Sequence, residues 1–219
     1  MFDLTKVNYE MAQFLRNANV FTTTQRGVTT ASATGTFAAE TTLLINRTNV
    51  KNVRSVVVAA VTLVYGRDYD VYVNYDDSGT IKCRIVFGSA QTGAYTVSYD
   101  YGTDRIFSDY PRQDLTISSF PRIGFDTVDV PITPAGFGGV DRYEVNMSIN
   151  VYDLTATAIK GYINTVRSAI FGAKTSFWYI GRYVHVVAIG PILNSPFEMG
   201  KDVVMQQNVD VRGEFTYEK

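Results

Sequence analysis

Tyr143-Glu144-Val145-Asn146-Met147-Ser148-Ile149-Asn150-Val151-Tyr152-Asp153 leads into Thr155–Gly172, and this stretch decides the fold. Tyr143, Val145, Met147, Ile149 and Val151 alternate with Glu144, Asn146, Ser148 and Asn150, the period of a half-buried strand. Asp153 then stands as a helix N-cap, its carboxylate able to accept from free backbone amides. Ile159, Ile163, Val166 and Ile170 recur at helical spacing with Tyr162 beside them, and Gly172 falls where a left-handed C-cap is expected. A strand with one apolar face and a helix with one apolar stripe can cover each other.

Working towards the C-terminus, 176–189 reads as a strand region closed by Pro191, and 194–201 as a loop. Residues 203–217 form a last strand with Val209, Val211, Gly213 and Phe215 on one parity. Upstream, 104–139 carries most of the prolines. Short strands are expected at 112–117 and 122–125, and a loop at 131–139. The C-terminal half is therefore an antiparallel sheet with a helix across one face. At the other end of the chain, Leu4, Val7, Met11, Phe14 and Leu15 form the stripe of an N-terminal helix capped by Asp3. That helix joins the same face.

Between these parts the pattern changes. Residues 22–36 are rich in Thr, Ser, Ala and Gly and read as a linker or extended arm. From Thr41 to Tyr101 everything alternates: Leu43–Ile45, a valine-rich strand at 55–64, Tyr69–Tyr75, Ile81–Phe87 and Tyr95–Tyr101. Turns are expected at Asp76-Asp77-Ser78-Gly79 and Gln91-Thr92-Gly93. Strands at such intervals suggest a small sandwich or barrel. The fold class expected is α+β. Residues 1–20 and 105–219 form one domain, 21–40 a linker or arm, and 41–104 an inserted all-β module.

The chain has 219 residues, 46% of them hydrophobic, enough for a substantial core. A formal net charge of −1 argues against a protein whose main task is coating nucleic acid. Cys83 is the only cysteine, so no intrachain disulfide can form. Met1-Phe2-Asp3-Leu4 lacks a basic region followed by an apolar core, so no signal peptide is expected. The most apolar run, 56–64, is about half the length of a spanning helix, so no membrane association is expected.

Chemistry-bearing motifs are sparse. His185 is the only histidine and sits inside a strand, with no Gly-x-Ser-x-Gly in the chain. One histidine and one cysteine leave no zinc set. Gly136-Phe137-Gly138-Gly139 lacks the Lys-Ser/Thr of a phosphate loop and leads into a strand. Asp76 and Asp77 lack the alternating oxygens and distal glutamate of a calcium loop. No catalytic residue, metal or cofactor is expected.

Tyr69, Tyr72, Tyr75, Tyr95, Tyr99 and Tyr101 crowd one module. Three readings apply: a tyrosine-rich sheet surface, a protein contact, or a sugar-stacking platform. Arg105, Arg112 and Arg122 flank the proline-rich connection. They read as bidentate partners across a subunit boundary, as solvated loop charges, or as residues facing a channel.

The pattern resembles the neck proteins of tailed bacteriophages, in particular tail terminator and tail completion (head–tail joining) proteins. Three features carry the resemblance. They are Ser119-Phe120-Pro121-Arg122-Ile123, the Arg142–Tyr152 strand running into the Thr155–Phe171 helix, and the closing Val209-Asp210-Val211-Arg212-Gly213-Glu214-Phe215. Within 41–101, Gly66, Asp68, Tyr69, Val71, then Ile85, Phe87, then Tyr95, Val97 and Tyr99 resemble β domains appended to phage tail and neck proteins. The resemblance implies a virion protein, assembled in the host cytoplasm, that forms a ring of six copies. One ring face would meet the tail tube protein, the other the head connector or adaptor, and sheath is a further candidate partner. DNA would pass through the lumen without specific binding. The expected interface residues are Arg105, Arg112, Arg122, Phe137, Phe197, Glu198, Lys201, Tyr72 and Tyr99. A tail or connector adaptor subunit and a carbohydrate-binding β module are the competing readings, and an enzyme comes last.

Overall fold

A computed structural model describes residues 4–108, 120–134, 140–173, 177–179, 182–194, 197–199 and 202–218, with side chains described within 7–108, 120–127, 144–173, 185–194 and 203–214. The chain is mostly antiparallel β-sheet, with 63% strand and few helices. It divides into two compact units. Residues 1–25 and 105–219 make the first, and 26–104 the second.

The first unit holds a six-stranded sheet. The strands are β6 (Arg122–Pro134), β7 (Val140–Asp153), β8 (Phe177–Tyr179), β9 (Arg182–Asn194), β10 (Phe197–Met199) and β11 (Asp202–Glu218). Their order is β6-β7-β11-β9-β8, with β10 attached to β11, and every pairing is antiparallel. Val145, Met147, Ile149 and Val151 of β7 are buried, with Val209 and Val211 of β11 beside them. Helix α3 (Ala156–Ala173) lays Ile159, Ile163, Val166 and Ile170 onto this face. Helix α1 (Leu4–Asn17) adds Val7, Met11 and Leu15 to the same apolar cluster. Tyr162 packs edge-on to Phe21 at 4.9 Å, and its hydroxyl accepts from Gln25 Nε2 at 2.7 Å.

Several local expectations are corrected. Thr155, not Asp153, caps α3: its Oγ1 accepts from the Ala158 amide at 3.3 Å. Asp153 instead accepts from the Thr155 amide at 3.0 Å and shapes the corner before the helix. Gly172 lies inside the last turn rather than beyond it. Pro191 does not close a strand; it sits within β9 at a register shift, which an edge strand tolerates because that N–H is not needed. The loop expected at 131–139 begins as strand through Pro134, and 135–139 fall outside the described residues. The loop expected at 194–201 contains β10. The strand expected at 112–117 lies outside the described residues.

The second unit is a five-stranded sheet. Its strands are β1 (Val28–Ile45), β2 (Val50–Val58), β3 (Val61–Leu63), β4 (Tyr69–Asp77) and β5 (Thr80–Gly102), with β5 pairing β1, β2 and β4. The residues read as an arm are not one. Thr22 and Gln25 form a capping box around the short helix α2 (Thr23–Arg26): the Gln25 amide donates to Thr22 Oγ1, and the Thr22 amide to Gln25 Oε1. The rest is β1, whose small residues run opposite Gly102 to Thr92 of β5. Pairing, not hydrophobic patterning, makes it a strand.

The valine-rich run at 55–64 is two strands, not one. Ala59 and Ala60 take φ of 48° and 65°, the left-handed pair of a two-residue hairpin turn that sets Val58 opposite Val61. Gln91-Thr92-Gly93 does not reverse the chain; β5 runs through it, with register shifts at its partner between Ala38 and Thr42. Cys83, Ile85 and Phe87 from one half of β5 and Val97 and Tyr99 from the other enter a single cluster with Val53, Val56 and Val71.

Candidate assembly interface

The β7 alternation gives the first unit a sheet with two unlike faces. One carries the helices. The other carries Glu144, Asn146, Ser148 and Asn150 of β7 beside Gln206, Asn208, Asp210 and Arg212 of β11. These side chains are cross-linked in rows. Ser148 Oγ donates to Asp210 Oδ1 at 2.7 Å, Asn208 Nδ2 to Ser148 Oγ at 3.1 Å, and Gln206 Nε2 to Asn150 Oδ1 at 2.9 Å. Arg212 Nη2 lies 2.8 Å from Glu144 Oε1. A trough of about 400 Å³ crosses this face from Asp126 on β6 to Ala188 and Gly190 on β9. Gly190 leaves the floor low there, since a Cβ on it would meet the Asp210 Cβ at 3.4 Å.

Among the described residues the outer strands are paired over only part of their outer sides. Ile106 bridges Ile123, and the Ile123 amide donates to the Arg105 carbonyl at 2.9 Å, so the start of β6 is covered. Beyond it, among the described residues, β6 pairs only with β7. On the far side β8 covers only Arg182–Val184 of β9; from His185 onward β9 pairs, among the described residues, only with β11. Proline occurs in both outer strands, at Pro131, Pro134 and Pro191, and in neither β7 nor β11.

A groove of about 320 Å³ follows the uncovered side of β9. It is lined by His185–Ile189 and by Arg167, Ile170 and Phe171 of α3. Phe171 is 67% exposed and Val187 45%. His185 is exposed and lies opposite Glu214 in register. The site is open on one side, and among its described lining residues no second nucleophile or base stands beside the imidazole.

The residues singled out from sequence scatter. Arg122 is 1% exposed, so the solvated-charge reading fails for it. Its guanidinium lies 4.5 Å from the Phe120 ring and 5.2 Å from the Tyr152 ring, because Phe120 and Tyr152 close a small cluster over it. Arg105 is half-buried and donates from Nη1 to the Phe120 carbonyl. Phe197 and Glu198 belong to β10, opposite Val204 and Val203. Arg112, Phe137 and Lys201 lie outside the described residues.

In the second unit Tyr72 is 50% exposed, whereas Tyr99 is buried in the apolar cluster. Tyr95 stacks on Phe37 at 4.2 Å, Arg47 covers Tyr101 at 3.9 Å, and Arg84 lies over Tyr75 at 4.9 Å. Most of these rings are committed within the sheet. Cys83 is buried, and desolvation pushes its thiol up to about 12, which removes it as a nucleophile at neutral pH.

One arrangement has no sequence signal. Arg26 and Asp104, the residues where the chain passes into and out of the second unit, meet in its interior. Arg26 Nε lies 3.0 Å from Asp104 Oδ1, and its Nη1 lies 2.8 Å from Asp100 Oδ2. Asp100 Oδ1 also accepts from Arg54 Nε at 2.7 Å and from Thr30 Oγ1 at 2.7 Å. Burial works against the Arg26 cation, but the hydrogen bonds and charges of Asp104 and Asp100 outweigh it and raise its pKa. Burial likewise works against the Asp100 carboxylate. The donors Arg54, Thr30 and Arg26 outweigh that and hold its pKa below the ordinary value. Such a cluster forms only when residues 26, 54, 100 and 104 are folded together, which spacing in the sequence does not reveal.

Among the described residues no group of His, Cys, Asp and Glu is placed to hold a metal ion, and no helix is long and apolar enough to cross a membrane. Comparison with protein families, curated proteins and solved structures finds no match to this chain.

Proposed function

We propose that the chain is a non-enzymatic structural subunit of the neck of a tailed bacteriophage. Six copies form a ring that terminates the tail tube and joins it to the head connector. In this reading the first unit is an α+β ring-forming domain and the second is a β module inserted between Gln25 and Arg105. The observation that carries it is the sheet of the first unit. Its outer strands β6 and β9 are, among the described residues, unpaired along much of one side, while β7 and β11 between them are paired on both. Uncovered strand edges invite pairing with another chain, and a head-to-tail contact repeated by rotation closes a ring.

The polar sheet face suits a lumen. Its described charges are Asp126, Glu144, Asp210 and Glu214 against Arg212. An acidic wall repels phosphates, so DNA would pass without being held. The second unit supplies further surface, with Tyr72, Ile81 and Val61 exposed, for the tail tube, connector or sheath proteins.

Electron microscopy of virions with this subunit labelled tests the reading. Label at the junction of head and tail supports it. Label absent from particles, or distributed over the capsid or fibres, rejects it.

A further inference from the structure

The polarity of the strands restricts how copies can meet. The four long strands run β6-β7-β11-β9 with every neighbour antiparallel, so the two outer ones run in opposite directions. Rotation about an axis along the strands brings β6 of one copy beside β9 of the next, still antiparallel. The alternation of the sheet then continues unbroken across the boundary. Prolines confine the contact: Pro131 limits β6 to Gly124–Val130, and Pro191 limits β9 to His185–Gly190.

Charge and shape agree with that pairing. The groove along β9 has the uncovered strand as its floor and Ile170 and Phe171 of α3 as its wall, which is the form of a strand-addition site. Its ionisable side chains are Arg167 and His185, with no carboxylate among its lining residues. The β6 segment Gly-Phe-Asp-Thr-Val-Asp-Val (124–130) contains two aspartates and no base, and Asp126 is exposed. Arg167 is the fixed charge among the groove's described lining residues and is opposite in sign to those aspartates, whereas β9 against β9 would set Arg167 near its own copy.

Resting on the ring reading above, the geometry points to a specific contact between copies of this chain: β6 (Gly124–Val130) of one subunit adds to the β9 edge (His185–Gly190) of the next, in the groove walled by Phe171. Phe171 and Val187, exposed in the single chain, are covered by this addition.

Disulfide trapping tests it. In a Cys83→Ala background, Asp126→Cys is combined in turn with His185→Cys, Val187→Cys and Ala188→Cys, which samples neighbouring registers. Mild oxidation of the full chain is followed by non-reducing electrophoresis, with mass measured in parallel. At least one pair should give a ladder of linked chains, while each single substitution gives none. Independently, Arg167→Glu and Phe171→Asp should each raise the concentration for half-assembly about tenfold or more, with circular dichroism unchanged. Rings that form with no linkage in any register, and that ignore both groove substitutions, overturn this contact and leave the ring reading standing. Linked dimers from Val187→Cys or Ala188→Cys alone overturn it in favour of a two-fold contact. A chain that stays monomeric under all conditions removes both.

Discussion

Asp100→Asn tests the buried ion cluster most sharply. Asp100 has no exposed side-chain surface, and it receives Arg26, Arg54 and Thr30 at 2.7–2.8 Å. With Asp104, the four charges of the cluster balance. The asparagine leaves one unit of positive charge uncompensated, and Arg26, also fully buried, keeps only Asp104. Removing one partner of a buried pair typically costs about 3–5 kcal/mol. At roughly 4–8 °C per kcal/mol for a unit of this size, melting should fall by at least about 12 °C. Hydrogen exchange at the β1 and β5 amides localises the loss to the second unit. Arg26→Met combined with Asp100→Asn should cost less than the sum of the two single changes, since the lone cation is gone. The wild type carries the matching pH dependence. Asp100 has a folded pKa below its ordinary 3.8, so its contribution is complete above that value and fades as pH falls through the folded value. The asparagine variant should lose less stability than wild type below about pH 4. A penalty under about 1 kcal/mol, or identical acid profiles, would refute the reasoning.

Other consequences are local. Ala60→Gly relieves a left-handed alanine in the β2–β3 hairpin and should stabilise by about 0.5–1 kcal/mol in urea titration. Gly102 has φ of 136°, and a Cβ there would lie 2.5 Å from the Gly27 carbonyl oxygen, so Gly102→Ala should cost more than about 2 kcal/mol by the same assay. Thr155→Ala removes the cap of α3 and should cost about 1 kcal/mol, with exchange accelerating in the first turn of the helix.

The sequence was most legible where one face is buried. Val145 to Val151 and Ile159 to Ile170 carry their period because each element packs a single apolar face, and their burial follows it. β1 was not legible. Its exposed Thr, Ser and Ala positions carry no apolar alternation, and it is held by its long antiparallel register with β5. The hairpin within the valine run was hidden because Ala59 and Ala60 occupy turn positions where Asn or Gly is the usual signal. The candidate site was harder still. Arg122 reads as a loop charge because nothing in the sequence announces Phe120 and Tyr152 closing over it. Open edges are a property of strand order, and β11 returning between β7 and β9 is a long-range pairing that no local pattern specifies. The tyrosines drew attention by number, yet Tyr99 serves the core and Tyr75, Tyr95 and Tyr101 are covered by neighbours.

Sedimentation of the purified chain, alone and with tail tube and connector proteins, weighs the central claim directly. The account predicts a discrete species of about six times the 24.4 kDa chain mass, in solution or upon addition of those partners. A single 24.4 kDa species at every concentration and in every mixture would contradict it.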